Sequence, residues 1–477
     1  MRTTSEIAEA FDLGVPVGNQ VEITSVAISS LDVAPGCLFV AVQGEKAHGI
    51  DFLSSAIAAG ASAVLSDRPV QADIPVLVHE DPRSIAGHIS AFVMGTMDLG
   101  LQVFGVTGTN GKTSTVFFLH QLLIQMGVKA GLSSSAFTQI DNHRADSVLT
   151  TPEAPRLHRL LSEMNDAGAK AAVVEVSAQA LVRHRVDGLV FDVAGFTNLT
   201  RDHLDEFGSM ENYLSAKASL FTQEFSRRSV INVEDRFGEQ MLELARAKLP
   251  DHPVGLGPNQ DYIFEVSGDG IKIAGKQVLF LARDVGPLMS RNLALAAVML
   301  LEAGYTAEAV SAAALDIETL VPGRLELVSE STPHIYLDYA HTPQAVELAA
   351  QELSEKYSNL VIVLGASGDR DSGKRIEMGR AAGKFANHVV VTDQHPRSED
   401  PALIRASIIA GILEVGPDSS ISEIDDPAVA ISKAVDLVGN GGAILWCGPG
   451  HLKYREIKGK KLPFDAYLQA RKALNLD

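Results

Sequence analysis

The sequence predicts an α/β protein of three domains, with a parallel sheet in the middle domain built around a phosphate-binding turn. Three observations predict it. Short apolar runs alternate with helical segments along most of the chain, the pattern of a parallel sheet with crossover helices. One of these runs leads straight into Gly108-Thr109-Asn110-Gly111-Lys112-Thr113. A chain of 477 residues is also long for one hydrophobic core, so it divides into two or three.

The first part, residues 1–98, mixes short β-like runs at Cys37–Val42, Ala63–Leu65 and Val76–Val78 with a helical stretch around Phe52–Ala59. The second, 99–321, opens on the strand Leu101–Val106, followed by the Gly-rich turn and a helical pattern from Ser114 to Met126 that Gly127 is placed to end. Further strands are predicted at Ala171–Val176 and Val190–Phe196. A boundary falls near Val321-Pro322-Gly323. In 322–477 four apolar runs recur, Ile335–Asp338, Leu360–Leu364, His388–Thr392 and Ala443–Cys447, and they predict a second open α/β sheet. Ligands of such sheets bind beyond the carboxyl ends of the strands, so the loops that follow these runs are where the chemistry belongs.

Composition narrows the function. A formal charge of −19 argues against a nucleic-acid binder, which carries a basic footprint. No apolar stretch is long enough to cross a bilayer, and the first twenty residues lack the continuous apolar core of a signal peptide, so no membrane insertion is expected. Two cysteines, Cys37 and Cys447, do not make a disulfide framework, and a reducing cytoplasm fits that usage.

In the Gly-rich turn the glycines let backbone N–H groups approach phosphate oxygens, and the helix that follows adds the positive end of its dipole. Lys112 can reach the β- and γ-phosphates, and the Thr113 hydroxyl can coordinate Mg²⁺. The spacing departs from the usual phosphate loop, since Val106 stands where an earlier glycine is normal. Glu175 ends an apolar run and would face the turn, where it could hold Mg²⁺ directly or through water. In the polar stretch Thr197-Asn198-Leu199-Thr200-Arg201-Asp202-His203-Leu204-Asp205, His203 could ligate a divalent ion and Asn198 could approach the nucleotide. Lys217 sits on the expected helix Met210–Phe221, four residues after Tyr213, where a lysine is by default simply solvated.

The run Gly108-Thr109-Asn110-Gly111-Lys112-Thr113-Ser114 resembles the ATP signature of the Mur ligases, enzymes that form amide bonds at the expense of ATP. Glu175, the Thr197–Asp205 loop and Tyr213-x-x-x-Lys217 follow in the order found in that family, and the resemblance extends over nearly the whole chain. It implies that Lys112, Lys217, His203 and Glu175 are catalytic. Thr113, Glu175, His203 and Lys217 would hold Mg²⁺, the lysine as a carbamate. The ATP site would comprise Gly108 to Ser114, Asn292, Arg324, Asp338 and His341. The three domains become a UDP-substrate-binding domain, a P-loop ATPase-like parallel-sheet domain, and a Rossmann-like domain that takes the incoming amino acid and closes on ATP.

Within the family the chain is most similar to the tripeptide synthetase branch, which joins an amino acid to UDP-MurNAc-L-Ala-D-Glu. Pro35-Gly36-Cys37-Leu38-Phe39-Val40-Ala41 and Gly368-Asp369-Arg370-Asp371-Ser372-Gly373-Lys374-Arg375 carry that likeness. By the same resemblance Ser30, Thr150, Thr151, Ser177, Arg183 and Arg185 would contact the UDP substrate. Arg370, Gln394, His395, Arg397, Gly448 and Leu452 would surround the added amino acid. The expected partners are therefore ATP, UDP-MurNAc-dipeptide and an amino acid, with the protein acting as a monomer.

The motifs also drift. Ser29-Ser30-Leu31 replaces Asp-Ser-Arg, and Arg183 stands where a contact glutamine is usual. Gln394-His395-Pro396-Arg397 replaces Asp-Asn-Pro-Arg. Leu452 takes the place of an acid expected to hold an amino group. Two guanidinium groups, Arg370 and Arg397, remain to bind carboxylate. Lysine, ornithine or another diamino acid becomes more plausible than meso-diaminopimelate. The alternatives are a ligase that uses another carboxylate acceptor and a non-catalytic nucleotide-binding relative.

Overall fold

The structure, a computed structural model, describes residues 1–14, 20–44, 47–249, 253–267, 270–276, 278–281, 285–415 and 420–476. Three parallel sheets dominate it. The first has four strands in chain order, Ser25–Ala27, Cys37–Ala41, Ala61–Ser66 and Val76–Val78. Its middle strand Cys37–Ala41 is buried throughout, which explains its unbroken apolar sequence. The helical stretch expected around Phe52–Ala59 is a 3₁₀ turn, Gly49–Phe52, continuing into the α-helix Leu53–Ala58.

The second sheet holds the phosphate loop. Its eight strands run in the order His143–Asp146, Phe137–Ile140, Ala130–Ser133, Ala171–Glu175, Gln102–Thr107, Phe191–Phe196, Ser226–Asn232 and Pro253–Leu256. The last six are parallel, and the first two form an antiparallel hairpin on the edge. Gln102–Thr107 is central, with Glu175 registered opposite Val106 on one side and Phe196 opposite Thr107 on the other. Three neighbouring strands therefore deliver Glu175, the Gly-rich turn and the Thr197-Asn198 segment to the same edge.

The helix after the turn, Lys112–Gln125, is buried on nearly every side, because the helix Pro287–Glu302 packs across it and the sheet lies beneath. A three-stranded antiparallel sheet, Ile263–Ser267, Gly270–Ala274 and Val278–Leu281, closes the apolar core on that side. Neither the edge hairpin nor this small sheet was apparent from the apolar runs.

The third sheet has six strands in the order Glu326–Leu327, His334–Asp338, Ala443–Cys447, Leu360–Leu364, His388–Val391 and Ser420–Glu423. All but the first pair are parallel. The four predicted runs are its four central strands. Helices Pro343–Lys356, Gly373–Phe385 and Pro401–Val415 cover one face, and Pro427–Val438 with Ala466–Ala473 covers the other. The carboxyl ends of these strands face the phosphate loop. Among the described residues no helix is long and apolar enough to cross a membrane.

Candidate active site

The Gly-rich turn is held from both sides before any ligand is considered. Gly111 sits at φ +84°, and a Cβ there would come within 2.3 Å of Asn292 Oδ1, so the turn needs a residue with no side chain. Asn198 brackets Asn110: its Oδ1 accepts from the Asn110 N–H at 3.0 Å, and its Nδ2 donates to the Asn110 carbonyl at 3.1 Å. Asn198 is thus a brace of the turn as well as part of its lining. The Lys112 ammonium donates to the carbonyls of Gly108 and Thr109 at 3.1 and 2.9 Å.

Opposite the turn, the buried Glu175 carboxylate accepts from Thr113 Oγ1 at 3.1 Å, from the Ser135 N–H at 2.8 Å and from Ser135 Oγ at 2.9 Å. Arg324, from beyond the Val321-Pro322-Gly323 boundary, donates through Nη2 to Thr113 Oγ1 at 2.9 Å. Asp338 accepts from the N–H groups of Leu325 and Ala340, both at 2.6 Å, and so fixes the segment that carries Arg324. Burial pushes the Asp338 carboxyl up, against the pull of Arg324 and these hydrogen bonds. Thr342 Oγ1 donates to Asn110 Oδ1 at 3.2 Å, a second direct contact between the third sheet's loops and the turn.

Lys217 lies on the helix Met210–Ala218 with 1% of its surface exposed. Its ammonium donates to the Gly108 carbonyl at 2.7 Å and stands 4.4 Å above the Tyr213 ring. Burial first, and then the positive charge of Lys112, holds the Lys217 amine well below the usual lysine range. The helix ends earlier than the predicted Phe221.

His203 occupies a left-handed backbone conformation at φ +55°. Burial, reinforced by His341, Lys217 and Lys374, lowers its pKa to about 4 despite Asp202, so the ring is neutral near pH 7. Its Nε2 is 3.3 Å from Asp202 Oδ2, and its buried Nδ1 has no hydrogen-bond partner among the described residues. A neutral imidazole with an unshared lone pair, lining the same cavity as Thr113 and Glu175, fits a divalent cation. No three His, Cys, Asp or Glu side chains among the described residues form a metal cluster.

These groups line one cavity of about 890 Å³ between the second and third sheets. It gathers Thr109 to Ser114, Glu175, His203, Lys217, Asn292, Arg324, Asp338 and His341. Thr150, Ser177, Arg183, Arg185, Arg370 and Arg397 line the same cavity. Gly108 reaches it only through its carbonyl, on Lys112 and Lys217. Thr151 is buried behind the wall, accepting from the Ser177 N–H at 3.1 Å and donating to the Glu175 carbonyl at 2.8 Å.

Some expected site residues lie elsewhere. Gln394, His395 and Leu452 line a separate cavity of about 20 Å³ with Trp446, Tyr454 and Arg455. Gly448 packs against Gln394. The His395 ring is turned inward, where its Nδ1 accepts from the Glu456 N–H at 3.0 Å. Ser30 starts a 3₁₀ turn on the first domain and lines neither cavity. Beside it, a cavity of about 250 Å³ is lined by Ser29, Asp32, Arg156 and Arg159. Ser135, Asp202, Tyr339 and Lys374 belong to the site or its supports and were not singled out as site residues. Asp202 lies in the polar loop beside His203, Tyr339 follows the strand that ends at Asp338, and Lys374 falls in the Gly368–Arg375 motif; Ser135 had no signal in the sequence.

A phosphate loop on one α/β sheet, capped by an arginine from a second, defines a nucleotide-dependent enzyme whose site is shared between domains. Comparison with known proteins gives its class. A family model described as Mur ligase family, catalytic domain, matches residues 22–91; the Mur ligase middle domain matches 106–277; and the Mur ligase glutamate ligase domain matches 323–450. The chain is 42% identical to a UDP-N-acetylmuramyl-tripeptide synthetase from Leifsonia xyli subsp. xyli, over 95% of this chain and 92% of that protein. It is 35% identical to a UDP-N-acetylmuramoyl-L-alanyl-D-glutamate--2,6-diaminopimelate ligase from Aquifex aeolicus, over 93% and 92%. A solved structure of a protein with the latter name superposes with a TM-score of 0.63 at 27% identity, covering 95% of each chain. A MurF from Acinetobacter baumannii shares the fold, with a TM-score of 0.68 at 19% identity, over 90% of this chain and 91% of that one. The chain belongs to the Mur ligase family. It is accordingly an ATP-dependent, ADP-forming ligase of peptidoglycan synthesis with the three-domain α/β fold of that family.

Proposed function

We propose that this ligase adds an amino acid to UDP-N-acetylmuramoyl-L-alanyl-D-glutamate, giving the UDP-tripeptide, ADP and phosphate, in the cytoplasm and as a monomer. Residues 1–98 would bind the UDP end, 99–321 the ATP, and 322–477 the amino acid. The observation that carries the reading is the pairing of Arg324 with Thr113 across two domains, which places a third-domain cation on the phosphate loop. The named relatives, matched over nearly their whole length, support the acceptor.

In the first step an acceptor carboxylate oxygen attacks the γ-phosphorus, the bond to the β-phosphate oxygen breaks, and ADP leaves. In the second, the amine of the incoming amino acid attacks the acyl carbon, phosphate departs and the amine loses a proton. Lys112, the turn's N–H groups and Arg324 supply positive charge where negative charge accumulates on the transferring group, usually the largest contribution to such a reaction. Asn292 and His341 border the nucleotide end. Thr113, Glu175, His203 and a carbamate on Lys217 would hold Mg²⁺, which would supply further positive charge against the phosphates. Carbamylation needs an unprotonated amine, and the buried Lys217 beside Lys112 has one far more readily than a solvated lysine. Closure of the third domain over the turn keeps water from the acyl phosphate.

Arg183, Arg185, Thr150 and Ser177 form the acceptor's wall. Arg185 is already oriented by Glu153, its Nε donating at 3.0 Å. Arg370 and Arg397 face the incoming amino acid. Gln394, His395, Gly448 and Leu452 stand behind that wall and shape it rather than touch the substrate, and we favour L-lysine, L-ornithine or another diamino acid. Purified enzyme given ATP, UDP-MurNAc-dipeptide and a panel of amino acids tests this. Phosphate release that requires both acceptor and one amino acid, with the tripeptide mass, is the expected result. Failure of every amino acid with this acceptor would leave a ligase that uses another carboxylate.

A further inference from the structure

Two consecutive residues of the central domain, Arg201 and Asp202, are gripped by one helix of the third and the loop that leads into it. The Arg201 guanidinium donates to Asp371 at 2.9 and 3.2 Å and to Glu377 at 2.9 Å. Asp202 Oδ1 accepts from Lys374 Nζ at 2.8 Å, and both side chains are buried, with 4% and 5% of their surfaces exposed. A Cβ on Gly373 would fall 2.3 Å from Arg201 Nη2, so the missing side chain opens the seat for that guanidinium. The grip sits at the amino end of the helix Gly373–Phe385, and Asp371 also accepts from the Gly373 N–H at 3.0 Å.

Each end of this grip leads to a different substrate. On the central side, Asp202 Oδ2 lies 3.3 Å from His203 Nε2 and 3.4 Å from His341 Nε2, so a single carboxylate orients both histidines beside the phosphate loop. On the other side, Lys374 stands on the first turn of the helix that the short loop Asp369-Arg370-Asp371 leads into, and Asp369 and Arg370 line the cavity at the proposed amino-acid end. A buried ion pair of this kind holds only while both partners stay together, because either one alone is an uncompensated charge out of water.

We propose that Lys374 is a positioning residue: through Asp202 it couples the loop that meets the amino acid to the histidines that meet the nucleotide. The coupling rests on the nucleotide half of the proposed function and not on the identity of the amino acid. Ligands favour whichever arrangement they bind better, so a nucleotide settled against His341 and the turn tightens the grip, and with it the 368–375 loop.

The test is amide hydrogen exchange on the full chain with and without the ATP analogue AMP-PNP, in the absence of added metal. In the unmodified protein the analogue is expected to slow exchange in 368–375 by about five-fold or more. Lys374→Met should abolish that slowing while the turn at 108–114 is still protected, and Lys374→Arg should recover part of it. Gly373→Ala, a change a helix tolerates, should act like Lys374→Met by displacing Arg201. In steady state, with the amino acid identified by the panel, Lys374→Met should raise its KM more than that of ATP. Loop protection equal in Lys374→Met and the unmodified protein would overturn the proposal, as would a loop indifferent to AMP-PNP from the start. If Lys374→Met does not fold, Gly373→Ala carries the same two outcomes.

Discussion

Arg324 Nη2 lies 2.9 Å from Thr113 Oγ1, so a residue of the third domain touches the phosphate loop of the second. The same guanidinium stands 4.7 Å from the centre of the Tyr339 ring, which holds its plane. A flexible ammonium would keep the charge but lose the planar fork. Arg324→Lys should therefore lower kcat by about 100-fold while changing the KM for ATP much less. Steady-state kinetics check this, and an unchanged kcat would remove Arg324 from phosphoryl transfer.

Lys217 offers a chemical test. Lys217→Ala leaves a gap beside the Gly108 carbonyl and Tyr213 where the carbamate would stand. Activity should fall by at least about 100-fold, and short carboxylic acids should restore part of it by supplying the missing anion. Restoration by alkylamines instead would mean that the lysine works as a cation.

Arg397 Nε is 3.2 Å from Glu456 Oε2, and the residue holds a left-handed conformation at φ +52° at the edge of the cavity. Losing one charge-assisted contact is worth about 1.5–3 kcal/mol. Arg397→Ala should therefore raise the KM for the amino acid by about ten-fold or more and leave the KM for ATP near its original value. An effect confined to ATP would place Arg397 outside the amino-acid subsite.

His158 ties the first domain to the second and sets a pH dependence of stability. Its Nε2 donates to the Asp187 carbonyl at 2.9 Å, which in the neutral ring leaves Nδ1 to accept from Thr96 Oγ1 at 2.7 Å. Burial lowers its pKa to about 4, against an ordinary 6.5. Above pH 6.5 the ring is neutral both folded and unfolded, and its contribution is complete. Between pH 6.5 and 4 the unfolded chain takes up a proton that the folded one refuses, and up to about 3 kcal/mol is lost. Urea unfolding at pH 8 and pH 5 should show a smaller acid loss in His158→Gln, whose amide can make both hydrogen bonds. An identical loss would assign the acid sensitivity elsewhere.

The sequence made the sheets legible because their inner strands are buried on both faces and read as unbroken apolar runs, such as Leu360–Leu364. The half-exposed strands gave no such signal: His143–Asp146 is exposed along its whole length and pairs only with its neighbour. Glu175 and the Gly-rich turn were legible for a topological reason, since both end adjacent strands. The motif around Lys374 was legible but its pairing was not, because Asp202 lies 172 positions away and only the closed arrangement of two domains shows the pair. The inward turn of His395 was equally hidden. It depends on the Glu456 N–H, which a hairpin 61 residues later brings to it.

The central claim, that an acceptor carboxylate is activated by phosphorylation, has one direct test. UDP-MurNAc-dipeptide labelled with ¹⁸O in its terminal carboxylates is turned over with ATP and the amino acid, and the released phosphate is weighed by mass spectrometry. One ¹⁸O carried into each phosphate is the predicted result, because the carboxylate oxygen that attacks the γ-phosphorus leaves with it. Phosphate free of label, formed alongside the tripeptide, would contradict the account.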